Sequence, residues 1–207
     1  MKSDENGFTG LEAAIVLIAF IVVAAVFSYV VLGAGFFTVQ TAQATVHTGV
    51  TQASSSIEAD QNVIGVRWDA TRDQLDYVNV SVALMAGGTP IDISQMVISY
   101  SDSNGGRVPH VMNETGGIND CGNILTTVNT GIGAPTKFCV SQKLNDLNPS
   151  SPNNLLEQNE VWILSIQTPV TAIVNTRISI NLQPAVGAVL SMTRTLPGAF
   201  STIQIIY

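Results

Sequence analysis

Hydrophobic residues are concentrated in one long stretch near the start of the chain. Between residues 13 and 37, 22 of 25 residues are apolar, and no charged residue occurs between Glu12 and Glu58. At a rise of 1.5 Å per residue, 25 residues form a helix of about 38 Å, which exceeds the ~30 Å hydrocarbon core of a bilayer. The pattern therefore predicts a helix long enough to cross a membrane.

The helical pattern continues beyond this stretch against a more polar background. From residue 39 to residue 57, apolar or small residues recur every three or four positions, which is the period of a helix. We therefore expect one helix from Phe8 to about Ile57. Its first half is apolar on all sides, and its second half is amphipathic.

After residue 58 the hydrophobic period changes to two, which is typical of strands. Val78, Val80 and Val82, for example, alternate with polar residues. Strands are predicted at residues 61–68, 76–85, 91–100, 124–128, 136–140, 161–167, 172–182, 188–193 and 201–207. Turn-forming sequences separate these segments, and no helical pattern lies between them. This arrangement favours an antiparallel β-sandwich over a parallel sheet with crossover helices.

Composition and motifs exclude several functions. Only 11% of the residues are charged, against roughly 25% on average. The net charge is −7 and the eight basic residues form no stripe, so nucleic-acid binding is not expected. The two histidines, the scattered carboxylates and the absence of hydrolase or phosphate-loop motifs predict no enzyme, no cofactor and no metal. Asp102-Ser103-Asn104 begins like a calcium loop, but its continuation indicates a turn.

The N-terminus has two features that bear on processing. A polar segment, MKSDENG, precedes the apolar run, and no A-x-A cleavage site follows that run. A cut after Gly7 would leave a free amine on Phe8; otherwise residues 1–7 are the cytoplasmic start of an anchored protein. Glu12 stands at the head of the apolar run. It either benefits from the helix dipole and interfacial water, or pairs with the Phe8 ammonium of another subunit.

Small residues within the apolar run would allow helices to approach closely. Ala24 and Ser28 are four residues apart and form one such pair. Gly33 and Gly35 permit either a bend or a straight continuation of the helix. We therefore expect Ala24, Ser28, Gly33 and Gly35 to take part in helix packing.

Two further kinds of candidate site occur after the helix. Cys121 and Cys139 enclose 17 residues, and a disulfide is favoured over two buried thiols because the apolar leader implies export to an oxidising side. Asn79-Val80-Ser81 and Asn113-Glu114-Thr115 are candidate N-glycosylation sites, with Asn79 on the polar face of its strand. Asn148-Pro149-Ser150 is disqualified by its proline.

The run from Gly7 to Gln40 resembles the N-terminus of an archaellin, the archaeal flagellin, within the type IV pilin superfamily. It reads GFTGLEAAIVLIAFIVVAAVFSYVVLGAGFFTVQ. By this resemblance residues 1–7 are a class III signal peptide that a prepilin-type signal peptidase removes after Gly7. Glu12 is then the glutamate that such subunits carry five residues into the mature chain.

The resemblance implies an α+β protein with a filament-core helix at residues 8–57 and an immunoglobulin-like outer β-sandwich at residues 58–207. It implies a structural subunit that enters the membrane and then polymerises with itself, and with sister archaellins as candidate partners, into the extracellular archaellum. The motor and platform complex of the archaellum would turn the filament for swimming. The alternatives are a subunit of a type IV-like adhesion pilus and a membrane-anchored extracellular binding domain.

Overall fold

The computed structural model describes residues 5–59, 62–67, 71–114, 117–122, 124, 136–147, 149 and 153–207. The chain divides into two compact units, Met1–Gly49 and Val50–Tyr207. The first unit is helical, and the second contains the end of the helix and the strands. This division falls within the helix, before residue 58, where the hydrophobic period of the sequence changes.

A single helix, α1, spans Glu5–Ser54 and contains 50 residues. At 1.5 Å per residue it is about 75 Å long. No proline interrupts it, and Gly33 and Gly35 lie within its continuous run. The predicted helix is therefore present, although it begins and ends three residues earlier than expected.

Threonine hydroxyl groups in the polar second half of α1 form hydrogen bonds within the helix itself. Four threonines, each three or four residues from the next, donate a hydrogen bond to the carbonyl oxygen four residues earlier, at distances of 2.7 to 2.9 Å. They are Thr38, Thr41, Thr45 and Thr48. Because these donors are bonded within the helix, the threonines add little polarity to its surface.

The described residues of the second unit form twelve strands and the short 3-10 helix Ile93–Gln95. The strands are β1 Ile57–Ala59, β2 Val63–Val66, β3 Tyr77–Leu84, β4 Ile91–Asp92, β5 Val97–Asp102, β6 Arg107–Asn113, β7 Lys137–Leu144, β8 Leu155–Leu156, β9 Val161–Gln167, β10 Arg177–Gln183, β11 Leu190–Thr195 and β12 Ile203–Ile206.

Ten strands form one sheet with the order β11-β10-β5-β6-β7-β9-β3-β2-β12, in which β1 also pairs with β3. The strands β4 and β8 form a separate antiparallel ladder. Among the named strands, the parallel pairing is that of β6 with β7, and it covers two residue pairs. This short contact joins two antiparallel halves, one ending in β11 and the other in β12.

One hydrophobic core receives side chains from both halves of the sheet. Alternate residues of four strands contribute to it: Val78, Val80 and Val82 from β3; Ile98 and Tyr100 from β5; Trp162, Leu164 and Ile166 from β9; and Ile178, Ile180 and Leu182 from β10. Each strand thus turns one face towards the core. The predicted class, a long apolar helix followed by an antiparallel β domain, is confirmed.

Individual strand predictions differ in accuracy. The bounds of β9 are those predicted, and β3 differs by one residue at each end. The predicted strand at 91–100 is interrupted by the 3-10 helix, which Asp92 caps by accepting a hydrogen bond from the backbone N–H of Ser94. Residues 172–176 contain a turn and an isolated bridge of Ile173 with Gln74 instead of the start of β10. Apart from residue 124, the predicted strand at 124–128 lies outside the described residues.

The sequence pattern misses β6 entirely. This strand contains Pro109, and among its residues only Val111 is buried, so it has no hydrophobic alternation. It forms because β5 supplies an antiparallel partner and β7 a short parallel one. Its existence depends on these neighbours rather than on its own sequence.

Candidate assembly site

The surface of α1 carries twenty large apolar side chains from Leu11 to Val50, each more than half exposed in the single chain. Within the described part of the chain, α1 is the one helix long and apolar enough to cross a membrane. Burying a side chain of this kind is worth about 1.5–3 kcal/mol. This helix therefore requires a cover of lipid or protein.

The predicted processing site and Glu12 lie at the start of α1. The backbone at Gly7 and Phe8 is helical, so a cut between these residues would fall inside the first turns of α1. Glu12 is exposed and lies one helical turn after Phe8. No lysine or arginine occurs between Lys2 and Arg67. The helical segment itself thus supplies no basic side chain of these types for Glu12.

The structure brings together only some of the predicted packing residues. Ser28 and Gly35 line a shallow groove on α1, whose other residues are Phe27, Val31, Leu32, Phe36 and Val39. Ala24 is one helical turn before Ser28 and lies on the same face. Gly33 is about 200° around the helix from Gly35 and lies on the opposite face.

The glycines of this region are not required by contacts within the chain. A Cβ atom added to Gly33 or Gly35 would meet nothing within 4 Å. Glycine costs roughly 0.8–1.0 kcal/mol relative to alanine in a helix interior. No contact among the described residues accounts for glycine at these two positions.

The two candidate N-glycosylation residues have different surroundings. Asn79 is half-buried in β3, which has β2 on one side and β9 on the other. Its Oδ1 accepts a hydrogen bond of 2.7 Å from Ser165 Oγ. Asn113 is exposed at the last position of β6, while Thr115 lies outside the described residues.

Cys121 and Cys139 form a disulfide in the structure, with their α-carbons 5.5 Å apart. Cys139 is fully buried in β7. Next to it, the N–H of Val140 donates a hydrogen bond of 2.7 Å to the carbonyl of Ile118. The bridge and this bond attach residues 117–122 to the β domain.

Asp102 organises the turn between β5 and β6. Its Oδ1 accepts hydrogen bonds from the N–H groups of Asn104, at 2.9 Å, and Gly106, at 2.8 Å. Its Oδ2 accepts from the hydroxyls of Tyr100, at 3.1 Å, and Thr171, at 2.5 Å. Both oxygens thus serve a turn, as the sequence indicates. Sequence reasoning missed Thr171 because it is distant in the chain.

Burial raises the pKa of Tyr100, and the adjacent Asp102 carboxylate raises it further by repelling the ionised form and by accepting a hydrogen bond from the neutral hydroxyl. Within the described ranges, no group of three or more histidine, cysteine, aspartate or glutamate side chains comes together to hold a metal ion. The polar cluster at this turn is consistent with a structural role.

A long, uncovered N-terminal helix joined to an antiparallel β domain is the architecture of a surface protein that is anchored in a membrane or forms polymers. The model of the archaeal-type flagellin family matches residues 7–194, and the chain belongs to this family. It is therefore a structural subunit of the archaeal flagellum, or archaellum, which is a filament on the cell surface.

Individual relatives agree with this assignment. The chain is 35% identical to probable flagellin 1 of Archaeoglobus fulgidus over 98% of this chain and 96% of that protein. Over 30 residues it is 90% identical to the 24 kDa flagellin of Methanospirillum hungatei, covering 14% of this chain and 94% of that sequence.

Two solved structures are similar to this chain. The archaeal flagellum of Methanospirillum hungatei strain JF1 has a TM-score of 0.65 at 28% identity, over 95% of this chain and 99% of that one. Archaeal flagellin FlaB1 of Methanocaldococcus jannaschii has a TM-score of 0.54 at 19% identity, over 73% of this chain and 96% of that one. The second likeness concerns the fold alone.

Proposed function

We propose that α1 first holds the subunit in the membrane, and that the subunit then joins a homopolymeric swimming filament through the same helix. The observation that carries this proposal is the uncovered apolar surface from Leu11 to Val50. In the membrane, lipid covers this surface; in the filament, the α1 helices of neighbouring subunits cover it. Transfer between these two surroundings keeps the apolar side chains out of water.

A cut after Gly7 by a prepilin-type signal peptidase prepares the helix for assembly. The cut removes Lys2, Asp4 and Glu5 and creates an ammonium group on Phe8. After the cut no lysine or arginine precedes Arg67, so this ammonium is the one positive charge other than His47 that the segment can offer. It pairs with Glu12 of another subunit, which compensates both charges inside a bundle that excludes water.

Small residues on α1 allow the neighbouring helices to approach. Ala24, Ser28 and Gly35 form one packing face, and Gly33 provides close approach on the opposite side. This role explains why glycine occurs at two positions where the chain itself leaves room for a side chain. A helix in the interior of a filament has neighbours on several sides, so small residues on two faces are useful.

Residues 8–57 form the filament core, and residues 58–207 form the outer layer. The subunit catalyses no reaction, and sister archaellins are candidate partners in the same filament. The motor and platform complex of the archaellum turns the filament. The family membership of the chain and the absence of a catalytic motif in its sequence support a purely structural role for the subunit.

N-terminal sequencing of filaments sheared from cells tests the proposal. We expect a sequence that begins FTGLE, from filaments that are visible by electron microscopy. A Gly7→Val variant should remain uncut in the membrane fraction, whereas Asn6→Ala should be processed. If the native chain retains Met1 and occurs only in membranes, the proposal is wrong. Loss of surface attachment instead of swimming on deletion would favour an adhesion pilus.

A further inference from the structure

Three large apolar side chains of the β domain are exposed on segments that contact the chain immediately after α1. They are Met85, Val186 and Val189, which are 43%, 48% and 50% exposed, and together they are called the junction patch. We propose that the junction patch binds the second half of α1 from another copy of this chain. The inference rests on the proposed function, because polymerisation through α1 is what brings a second α1 to the β domain.

The first segment of the junction patch, residues 85–90, is attached to the two residues that follow α1. The N–H of Met85 donates a hydrogen bond of 2.9 Å to the carbonyl of Ser56. The hydroxyl oxygens of Thr89 and Ser55 are 2.5 Å apart and share a hydrogen bond. Both serines are buried, so this segment is held against a fixed part of the domain.

The second segment, residues 184–189, is attached to the same two serines. Ala188 forms a parallel β-bridge with Ser56, and Gly187 lies against the backbone carbonyl of Ser55. The two valines of the junction patch flank this Gly-Ala pair directly in the sequence. Because both segments contact the same serines, the patch is ordered before a partner arrives, and binding orders few additional groups.

The composition of the two segments favours a protein partner over lipid. Residues 85–90 read MAGGTP and residues 184–189 read PAVGAV, with no charged and no aromatic side chain. The headgroup region of a membrane attracts basic side chains and is enriched in tryptophan and tyrosine. The segments offer neither kind of residue. An uncharged apolar protein surface therefore suits the junction patch better than a lipid surface.

The second half of α1 has such a surface. Val39, Val46 and Val50 are each more than half exposed. At 100° per residue they fall within an arc of about 40°, so they form one stripe along the helix. Apart from His47, residues 13–57 contain no ionisable acidic or basic side chain. The stripe and the junction patch are thus alike in being apolar and uncharged.

The stripe is continuous with the packing face of α1. Val39 also lines the groove that contains Ser28 and Gly35, which neighbouring helices cover in the proposed filament. The junction patch contacts residues 55 and 56, next to the place where the helical core of the filament ends. Binding of the stripe by this patch extends the helix interface without a break, and it removes apolar surface from water on both partners.

Photo-cross-linking in assembled filaments identifies what covers the junction patch. Val189→p-benzoylphenylalanine places a photoreactive ketone in the patch, and irradiation of sheared filaments should give covalent dimers on a denaturing gel. A dimer excludes a contact within one chain. Trypsin should then yield residues 178–194 joined to residues 8–67 of the processed chain, and fragmentation should place the bond between residues 39 and 50.

The same probe at Ile203 is the positional control, because Ile203 is 67% exposed on β12. It should give no product that contains residues 39–50. The inference is overturned if the Val189 probe gives no dimer, if it joins a β domain or lipid, or if both probes give the same product. Filaments that begin FTGLE but do not cross-link leave the proposed function intact. Absence of filaments from the native chain removes both.

Variants of similar shape test the contact without a bulky probe. Val186→Thr combined with Val189→Thr replaces two exposed methyl groups by hydroxyls. Sheared filaments should dissociate at a lower temperature, whereas urea unfolding of the detergent-solubilised β domain should be unchanged, because the altered groups are on the surface. Val97→Thr makes the same change on β5, where Val97 is 42% exposed. A drop no larger than that of Val97→Thr contradicts the inference.

Discussion

The backbone carbonyl of Ser55 lies so close to Gly187 that a Cβ atom on this glycine would be 1.4 Å from the oxygen. Gly187 also has a φ of 113°, which side chains other than glycine rarely adopt. The adjacent residues Ser56 and Ala188 form a parallel β-bridge. The chain immediately after α1 is thus fixed to the β domain by a contact that only glycine allows.

Gly187→Ala should destabilise the β domain strongly. The unfavourable backbone conformation costs on the order of 1–3 kcal/mol, and the collision with the Ser55 carbonyl adds to it. Urea unfolding of the detergent-solubilised chain, followed by tryptophan fluorescence, measures the loss. Gly87→Ala is the matched control, because Gly87 has a φ of 82° but leaves a Cβ free of contacts within 4 Å. Equal losses for the two variants would show that the Ser55 contact is unimportant.

Reduction of the Cys121–Cys139 disulfide should lower the free energy of unfolding. The two residues are 18 apart in sequence, and a loop of this length contributes about 3 kcal/mol in the chain-entropy model. Urea unfolding with and without a reductant measures this difference. The chain has two cysteines, so the reductant has no other target. A Cys121→Ser variant should resemble the reduced protein and should not respond to the reductant.

Glu12→Gln should impair assembly while leaving membrane insertion intact. The variant keeps the shape of the side chain but cannot neutralise the Phe8 ammonium of a neighbour. We expect the yield of sheared filaments to fall at least tenfold, which corresponds to about 1.4 kcal/mol. Glu5→Gln makes the same chemical change in the segment removed by the cut and should assemble normally. Equal yields from both variants would refute a charge-matching role for Glu12.

Ser28→Leu should weaken the filament without affecting the isolated subunit. The larger side chain fills the groove in which Ser28 and Gly35 lie, and overpacking of this kind costs typically 1–3 kcal/mol. The dissociation temperature of sheared filaments should therefore fall. Val26→Leu enlarges a side chain about 200° around the helix from Ser28 and separates a general effect of size from this packing face. A similar drop in both variants would contradict the assignment of the face.

The sequence predicts those elements whose hydrophobic pattern is strong and local. The long apolar run predicts α1, and the alternation in Val161–Gln167 predicts β9. Each pattern matches the burial period of one kind of element, a helix in the first case and a strand in the second. The C-terminal end of α1 is located less precisely, because the period of its polar second half continues into the residues that follow Ser54. β6 was not predicted because neighbouring strands stabilise it and its own residues are mostly exposed.

The candidate sites were predictable to different degrees. The export implied by the apolar leader favours a bridge between Cys121 and Cys139, and the structure contains it. The contact between Asp102 and Thr171 was not predictable in this way, because it joins residues that are remote in sequence. Alternation places Asn79 on the polar face of β3, yet it does not reveal how closely the neighbouring strands enclose it. A pattern identifies the side of a strand that faces away from the core. It does not identify what lies on that side.

Alkaline pH should destabilise the β domain through Tyr100. Burial and the Asp102 carboxylate raise the pKa of this tyrosine in the folded state above its usual value near 10. The unfolded chain therefore loses this proton more readily than the folded chain does. The stabilising contribution is complete below about pH 10 and decreases as the pH rises further. Urea midpoints measured from pH 8 to pH 11 should decline accordingly.

Tyr100→Phe tests this explanation by removing the ionisable group. The variant should lose about 1 kcal/mol at neutral pH, because the hydrogen bond to Asp102 is gone, but its decline above pH 10 should be shallower. Some decline should remain, because burial and Asp76 also raise the pKa of Tyr77. Tyr207→Phe alters a residue that is 83% exposed and should leave the profile unchanged. A Tyr100→Phe profile parallel to that of the native chain would show that Tyr100 does not control the alkaline transition.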